Sequence, residues 1–439
     1  MIKKRQYENL NFENKLTYLF ARFCDGLRAI PGNFAKTILA LLYWTMIFAF
    51  ISHVMSPATG ILEKLLQPVI CTLVLVCGIV LFSVCVTVPA IPPGTYRFAN
   101  AFLRIKVTNA AGEPPLLTQR WKEGEKTIVE FFTQGLSIPE LQEHLEMIES
   151  ALNMRIIKIA EGHNKQHILL HLAPGNAKLP EKIYLPLLKA YLPKILIGES
   201  LDGPVIVDLN KQPHLMVAGS TGSGKTTLIK SIIMQLLARD DNRNPLCDVF
   251  LIDLKGGLDY HPDWRGNLCS FSSNPEDALS LLSHVVQELE QRKILFAMVS
   301  EQQGKSCSSL DDYNHSVPDN KLRRIAVVVD EIAELTDTTG MDKEYKELSK
   351  AIVGNLSTIA RLGRAFGINL FIGTQRPDAN AIPGQIKNNI DVRICGKADN
   401  TLSMIILDNT DAATLIPKDS QGLFLNQDGI LFRGYLLNK

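Results

Sequence analysis

Two long apolar runs stand near the start of the chain. Thr37 to Met55 and Pro68 to Ile91 are almost free of charge, and only Glu63 and Lys64 interrupt the loop between them. Nineteen helical residues span roughly 28 Å, about one hydrocarbon core. A cleaved leader would not begin after 36 polar residues and be followed by a second run, so the pattern predicts a two-helix membrane hairpin over 37–92 (about 37–55 and 68–91). Residues 93–195 then alternate between strand-like and helix-like patterns. Ser137-Ile-Pro-Glu140 is a capping box that opens a helix to about Asn153, and Met154–Ile159 and His167–Leu172 have the pattern of strands. The expectation is a small α+β adaptor. From 196 to 439, short buried runs alternate with helical periods. They predict strands at 214–218, 248–254, 324–330, 368–373 and 391–396, and a closing hairpin at 422–435. This is an α/β pattern: a mostly parallel sheet with helices on both faces. The polar stretch Glu301–Arg324, with Gly304 and Pro318, is expected to be a surface loop.

Charge orients this arrangement. The net formal charge is only +1, but residues 1–36 carry seven Lys/Arg against three Asp/Glu, and the hairpin loop has Lys64 alone. Arg97, Arg104 and Lys106 follow the second run. An excess of Lys and Arg on both flanks places the basic tail 1–36 and everything after 92 in the cytoplasm. Residues 196–439 hold 25 basic and 31 acidic side chains, so any polyanion must meet a local basic patch there. The eight cysteines form no C-x-x-C and are expected to be free thiols. His163, His167 and His171 are spaced by four, which on a strand separates neighbours by roughly 13 Å, too far to share an ion.

Chemistry enters with Gly219-Ser220-Thr221-Gly222-Ser223-Gly224-Lys225-Thr226, which fits G-x-x-x-x-G-K-[ST] between a predicted strand and a predicted helix that begins at Thr227, itself a candidate nucleotide contact. In that setting the backbone N–H groups and the helix N-terminus cradle phosphate. Lys225 is expected on the β/γ-phosphates of ATP, and the Thr226 hydroxyl on Mg²⁺. The strand Ile325–Val329 ends in Asp330-Glu331. Asp330 is placed to hold the metal shell, and Glu331 to orient and deprotonate the attacking water. Gln375, at the tip of another strand, is placed to sense the γ-phosphate. Arg376 and Lys255 also stand at strand ends on that edge, where they meet phosphate or another polyanion.

With these residues in place, 196–439 resembles the motor domain of the FtsK/SpoIIIE family. The resemblance rests on Pro213 to Lys225, Leu251-Ile-Asp-Leu-Lys255, Tyr313-Asn314, Val328-Val-Asp-Glu331, Gly363-Arg-Ala-Phe-Gly-Ile368 and Gly373-Thr-Gln-Arg-Pro377. It implies a RecA-like, homo-hexameric ATPase that threads DNA through a central channel. It also implies an arginine acting in the neighbouring subunit's site, with Arg361 and Arg364 as candidates, and channel-facing cations, with Lys255, Arg265, Arg376 and Lys387 as candidates. Two spans, a short adaptor and a bare motor are most similar to the coupling ATPases of conjugative plasmids and integrative elements, whose partners are a relaxase and a membrane secretion channel. The alternatives are a motor for protein secretion, a chromosome-partitioning translocase, and a nucleotide-binding scaffold that does not hydrolyse.

Overall fold

The computed structural model describes all residues except 1–19, 21–22, 25–26, 28–29, 31–33, 56–59, 91–94, 125, 187–191, 241–242, 261–263, 265, 376–381 and 438–439. It divides into two compact units, Met1–Ala177 and Lys178–Lys439.

The first unit begins with α1 (Phe34–Val54) and α2 (Ile61–Ala90). Their apolar windows, Lys36–Val54 and Leu65–Val86, are long and apolar enough to cross a membrane, and little of either is buried by protein. The two helices meet at Gly78, where a Cβ would lie 2.5 Å from Ile47 Cδ1. Tyr43 Oη donates to the Gly78 carbonyl at 2.8 Å, and the Tyr43 ring stacks on Phe82. A small residue that lets helices approach, with a hydroxyl bonded across them, is how apolar helices associate where water supplies no driving force. α2 starts seven residues before Pro68, where the sequence pattern placed its beginning, because the Ile61–Gln67 segment is already helical.

The same unit continues with α3 (Thr95–Arg104), β1 (Leu116–Glu123), β2 (Lys126–Phe132), α4 (Ile138–Glu143), α5 (Leu145–Leu152), β3 (Met154–Glu161) and β4 (His167–Pro174). The strands form one antiparallel sheet in the order β1-β2-β4-β3. Its core sets Phe131 edge-on against Phe98 and Phe102. Ser137 and Glu140 make both bonds of the capping box. The single helix expected to follow is broken at His144, whose backbone leaves the helical region and whose Nδ1 lies 2.9 Å from the Glu140 carbonyl. His167 and His171 are on a strand, as expected. His163 is in the turn before it, and there the strand spacing fails: its ring centroid is 3.9 Å from that of His167.

The second unit is built on a ten-stranded sheet. Its strands are β5 (Lys194–Ser200), β6 (Gly203–Asp208), β7 (His214–Ala218), β8 (Cys247–Ile252), β9 (Ser270–Ser272), β10 (Arg324–Val329), β11 (Ile368–Thr374), β12 (Val392–Cys395), β13 (Leu423–Asn426) and β14 (Leu431–Gly434). The order is β6-β5-β14-β13-β12-β7-β11-β10-β8-β9. From β12 to β9 every pairing is parallel, and the other four strands add antiparallel. β7, β10 and β11 are buried along their whole length, as strands covered on both faces must be. On one face Met216, Val327 and Leu370 pack with Leu282 and Val285 of α7 (Pro275–Gln303) and with Ile352 and Leu356 of α10 (Lys343–Phe366). On the other face Val217, Leu251 and Val328 pack against Ile229 and Ile232 of α6 (Lys225–Leu236).

Two expectations are corrected here. The β5–β6 hairpin was absent from the expected strands, yet it extends this sheet. The stretch 301–324 is not simply a loop: α7 runs on to Gln303, and α8 (Leu310–Ser316) follows, capped by the Ser309 hydroxyl. Leu310 and Tyr313, three residues apart, bury one side of α8, with Tyr313 stacked on Phe296 at 5.1 Å. The short helices α9 (Ala333–Thr336), α11 (Gly384–Lys387), α12 (Asn400–Leu407) and α13 (Asp411–Leu415) complete the unit.

Candidate functional site

The glycine loop joins β7 to α6, and its neighbours hold it at three points. Gly219 N–H donates to the Thr374 carbonyl (3.2 Å), Ser220 N–H to the Lys397 carbonyl (2.8 Å), and Gly422 N–H to the Ser223 carbonyl (2.8 Å). Gly224 has φ 97°, and a Cβ there would meet the Gly422 backbone at 3.0 Å, so both conformation and space require glycine. The loop runs directly into the N-terminus of α6, where unpaired N–H groups and the helix dipole attract anions.

Lys225 opens α6 and is only 3% exposed. Its ammonium donates to the Asp330 main-chain carbonyl and lies 3.7 Å from Asp330 Oδ2 and 3.8 Å from Glu331 Oε2. A buried cation is tolerated because two carboxylates face it. The residue beside them, Gly373, has no room for a side chain, since a Cβ would collide with the Asp330 carbonyl.

Parallel register assembles this edge. Val329 pairs with Ile252 on one side and Ile372 on the other. One step beyond those residues stand Asp330, Asp253 and Gly373. Glu331 is held by the tip of β11: Thr374 Oγ1 donates to Oε1 at 3.0 Å, and Gln375 N–H donates to Oε2 at 2.9 Å. Burial pushes the Glu331 carboxyl above its ordinary 4.5, against the pull of Lys225 and of these two donors. Gln375 Oε1 in turn accepts from the Thr221 hydroxyl at 3.2 Å, which links the β11 tip to the glycine loop.

Asp330 is fully buried. Its Oδ1 accepts from Tyr260 Oη at 2.9 Å, while Oδ2 has no hydrogen-bond partner and lies 4.0 Å from Lys255 Nζ. Asp253 is also buried, with Oδ1 accepting the Lys255 N–H and Oδ2 without a partner. Burial raises the Asp253 carboxyl, and the nearby Asp330 charge adds to the rise. Ser223 Oγ is a third buried polar atom without a partner. Unsatisfied buried oxygens are rare in folded proteins and call for a reason. Among the described residues, no three His, Cys, Asp or Glu converge as a metal cage. A carboxylate oxygen, a hydroxyl on Thr226 and substrate phosphates are instead the donor set that suits Mg²⁺, a hard cation that keeps much of its water.

The structure therefore brings together Lys225, Asp330, Glu331, Gln375, Thr221 and Lys255 from the residues singled out by sequence. Arg361 and Arg364 lie on the exposed side of α10, away from its buried face. Lys387 is paired with Asp408 at 2.7 Å. Arg265 and Arg376 lie outside the described residues. Sequence reasoning missed Tyr260 and Thr374 as hydrogen-bond partners of the two carboxylates, and Asp253 as a buried carboxylate whose charge acts on the same edge. Thr374 carried a signal, since it precedes Gln375 at a strand tip; Tyr260 carried none.

The family model described as FtsK/SpoIIIE family matches residues 188–379. The chain is 32% identical over 228 residues to the DNA translocase FtsK of Helicobacter pylori (strain ATCC 700392 / 26695), a match covering 51% of this chain and 25% of that one. It is 33% identical over 317 residues to the DNA translocase FtsK of Staphylococcus aureus (strain Mu50 / ATCC 700699), covering 65% of this chain and 37% of that one. The matched stretch is thus well under half the length of either relative. In structure the chain is similar to the pCW3 conjugation coupling protein TcpA, solved in a monomer form with ATPγS. That match has 31% identity and a TM-score of 0.55, and covers 78% of this chain and 95% of that one.

Proposed function

This chain belongs to the FtsK/SpoIIIE family, and on that footing we propose that it is a membrane-anchored motor that hydrolyses ATP to move DNA, acting as the coupling protein of a conjugative transfer channel. Glu331 carries the hydrolytic part of this reading. A carboxylate with a raised pKa, fixed by two donors and facing Lys225, has the properties of a general base rather than of a solvated strand end. The similarity to a conjugation coupling protein supports the cargo and the setting.

In this mechanism the phosphates of ATP lie along the main chain of Gly219 to Thr227, with Lys225 on the β- and γ-phosphates. Thr226 and Asp330 hold Mg²⁺, which neutralises phosphate charge when bound. Water attacks the γ-phosphorus, Glu331 takes its proton, and the bond to the β-phosphate oxygen breaks with its electron pair leaving on ADP. Gln375, anchored by Thr221, positions the water. In a homo-hexamer, Arg361 or Arg364 on the exposed side of α10 completes the neighbour's site. Lys255, Arg265, Arg376 and Lys387 contact DNA phosphates with little regard to sequence. The basic tail 1–36 and the motor 196–439 lie in the cytoplasm, joined by the hairpin 37–92 and the adaptor 93–195, and the partners are relaxase-bound DNA and secretion-channel proteins.

The test is ATP turnover of the full-length chain in detergent, with and without single- and double-stranded DNA, together with the mass of the particle. The reading predicts turnover stimulated by DNA in a six-subunit particle. Turnover indifferent to both DNAs would move the cargo to protein. No turnover would leave a nucleotide-binding scaffold.

A further inference from the structure

Asp330 Oδ1 is claimed by a residue from a different part of the chain. Tyr260 Oη donates to it at 2.9 Å across 70 residues of sequence. The tyrosine is 2% exposed, and Lys230 of α6 lies over its ring at 5.6 Å from the centroid. A chain of turns suspended from the end of β8 carries it there. Lys255 N–H donates to Asp253 Oδ1 (3.0 Å), Gly256 N–H to the Asp253 carbonyl (3.1 Å), and Tyr260 N–H to the Gly257 carbonyl (3.0 Å). Gly256 and Gly257 both have positive φ, and Leu258 between the turns is 89% exposed. The segment therefore has a solvent-facing tip and a buried foot, and the foot rests on the carboxylate.

A carboxylate held at one oxygen cannot rotate freely. With Oδ1 on the phenol, Oδ2 is the oxygen left over, buried, without a hydrogen bond and 3.7 Å from Lys225 Nζ. We propose that Tyr260 is a positioning residue: it pins Asp330 through one oxygen so that the other is presented to the nucleotide-bound metal, which gives the loop 253–260 mechanical leverage on the metal site. The proposal rests on the ATP-hydrolysing reading above, but it concerns how this chain prepares its carboxylate.

Tyr260→Phe in the full-length chain keeps the ring and removes only the donor. The readout is ATPγS binding in EDTA and across a Mg²⁺ titration, with turnover alongside. The expected result is unchanged binding in EDTA, an unchanged melting temperature, and a Mg²⁺ requirement raised about tenfold, the scale seen when the partner of a metal ligand is lost. The apparent KM for ATP at saturating Mg²⁺ stays within about twofold, because the phosphate cradle is untouched. In an Asp330→Ala background the same substitution adds no further effect, since the acceptor it steadies is gone. A wild-type Mg²⁺ titration in Tyr260→Phe would overturn the proposal. So would an equal loss of binding in EDTA, or a loss that persists in Asp330→Ala, because each describes a tyrosine that merely packs. A wild-type chain that binds ATPγS but does not turn over would sink the proposed function, while the Mg²⁺ titration would still decide the role of Tyr260.

Discussion

Glu130 in the N-terminal unit and Asp330 in the C-terminal unit are both carboxylates with 3% or less exposure, and their surroundings differ. Glu130 has partners for both oxygens: His163 Nδ1 lies 2.6 Å from Oε1, and Thr118 Oγ1 donates to Oε2 at 3.2 Å. Burial alone would raise its pKa, but the bonds and charge of His163 hold it below 4.5. Asp330 keeps one oxygen unpaired beside a buried lysine, and Asp253 and Ser223 nearby do the same. Glu331 is pushed the opposite way from Glu130. Single unpaired buried atoms also occur away from the site, at Gln134 Oε1, His214 Nε2 and Ser357 Oγ, so it is the gathering of Asp330, Asp253 and Ser223 at the edge of the phosphate loop, beside Lys225, that points to a ligand.

The largest effect on this contrast is expected at the site itself. Lys225→Ala and Glu331→Gln should each reduce ATP turnover by about 100-fold or more, the scale of losing a transition-state contact. A wild-type rate in either variant would erase the distinction. His214 supplies a buried group outside the proposed chemistry: its Nδ1 accepts the Leu370 N–H at 3.1 Å, its Nε2 has no hydrogen-bond partner, and burial lowers its pKa to about 4. The unfolded chain takes up that proton near pH 6.5. Stability is therefore full above pH 6.5 and falls as pH drops toward 4, by about 3 kcal/mol. Denaturant unfolding at several pH values should show this slope in the wild type and lose it in His214→Asn.

Glu130→Ala should cost about 1–2 kcal/mol of stability and leave turnover untouched, the mirror image of the Lys225 result. The smallest effect is the sharpest. Thr374→Val removes a donor that lowers the Glu331 pKa, so the acidic limb of the pH–turnover profile should move to higher pH with only a few-fold loss of rate. A limb that stays in place would show that Glu331 is not the titrating base.

The parts of the molecule legible from sequence were those written locally. Uninterrupted runs such as Ile325–Val329 announce strands buried on both faces, and glycines flanked by a strand and a helix announce the phosphate loop. The β5–β6 hairpin escaped because its second strand alternates in burial around Gly203 and Pro204, a pattern suited to an edge. The break at His144 escaped because a side chain competing for one carbonyl leaves no mark on periodicity. At the site, Asp330 and Glu331 were visible as a pair at a strand end. Their partners were not, since Tyr260 and Thr374 reach them through the register of β8, β10 and β11, which single-strand patterns do not encode.

The most direct measurement is ATP turnover by the full-length chain with and without DNA, run in parallel with Glu331→Gln at matched ATPγS binding. The account predicts DNA-stimulated turnover in the wild type, and in the variant full binding with turnover lost. Equal turnover in the two proteins, or a wild-type rate that no nucleic acid changes, would contradict it.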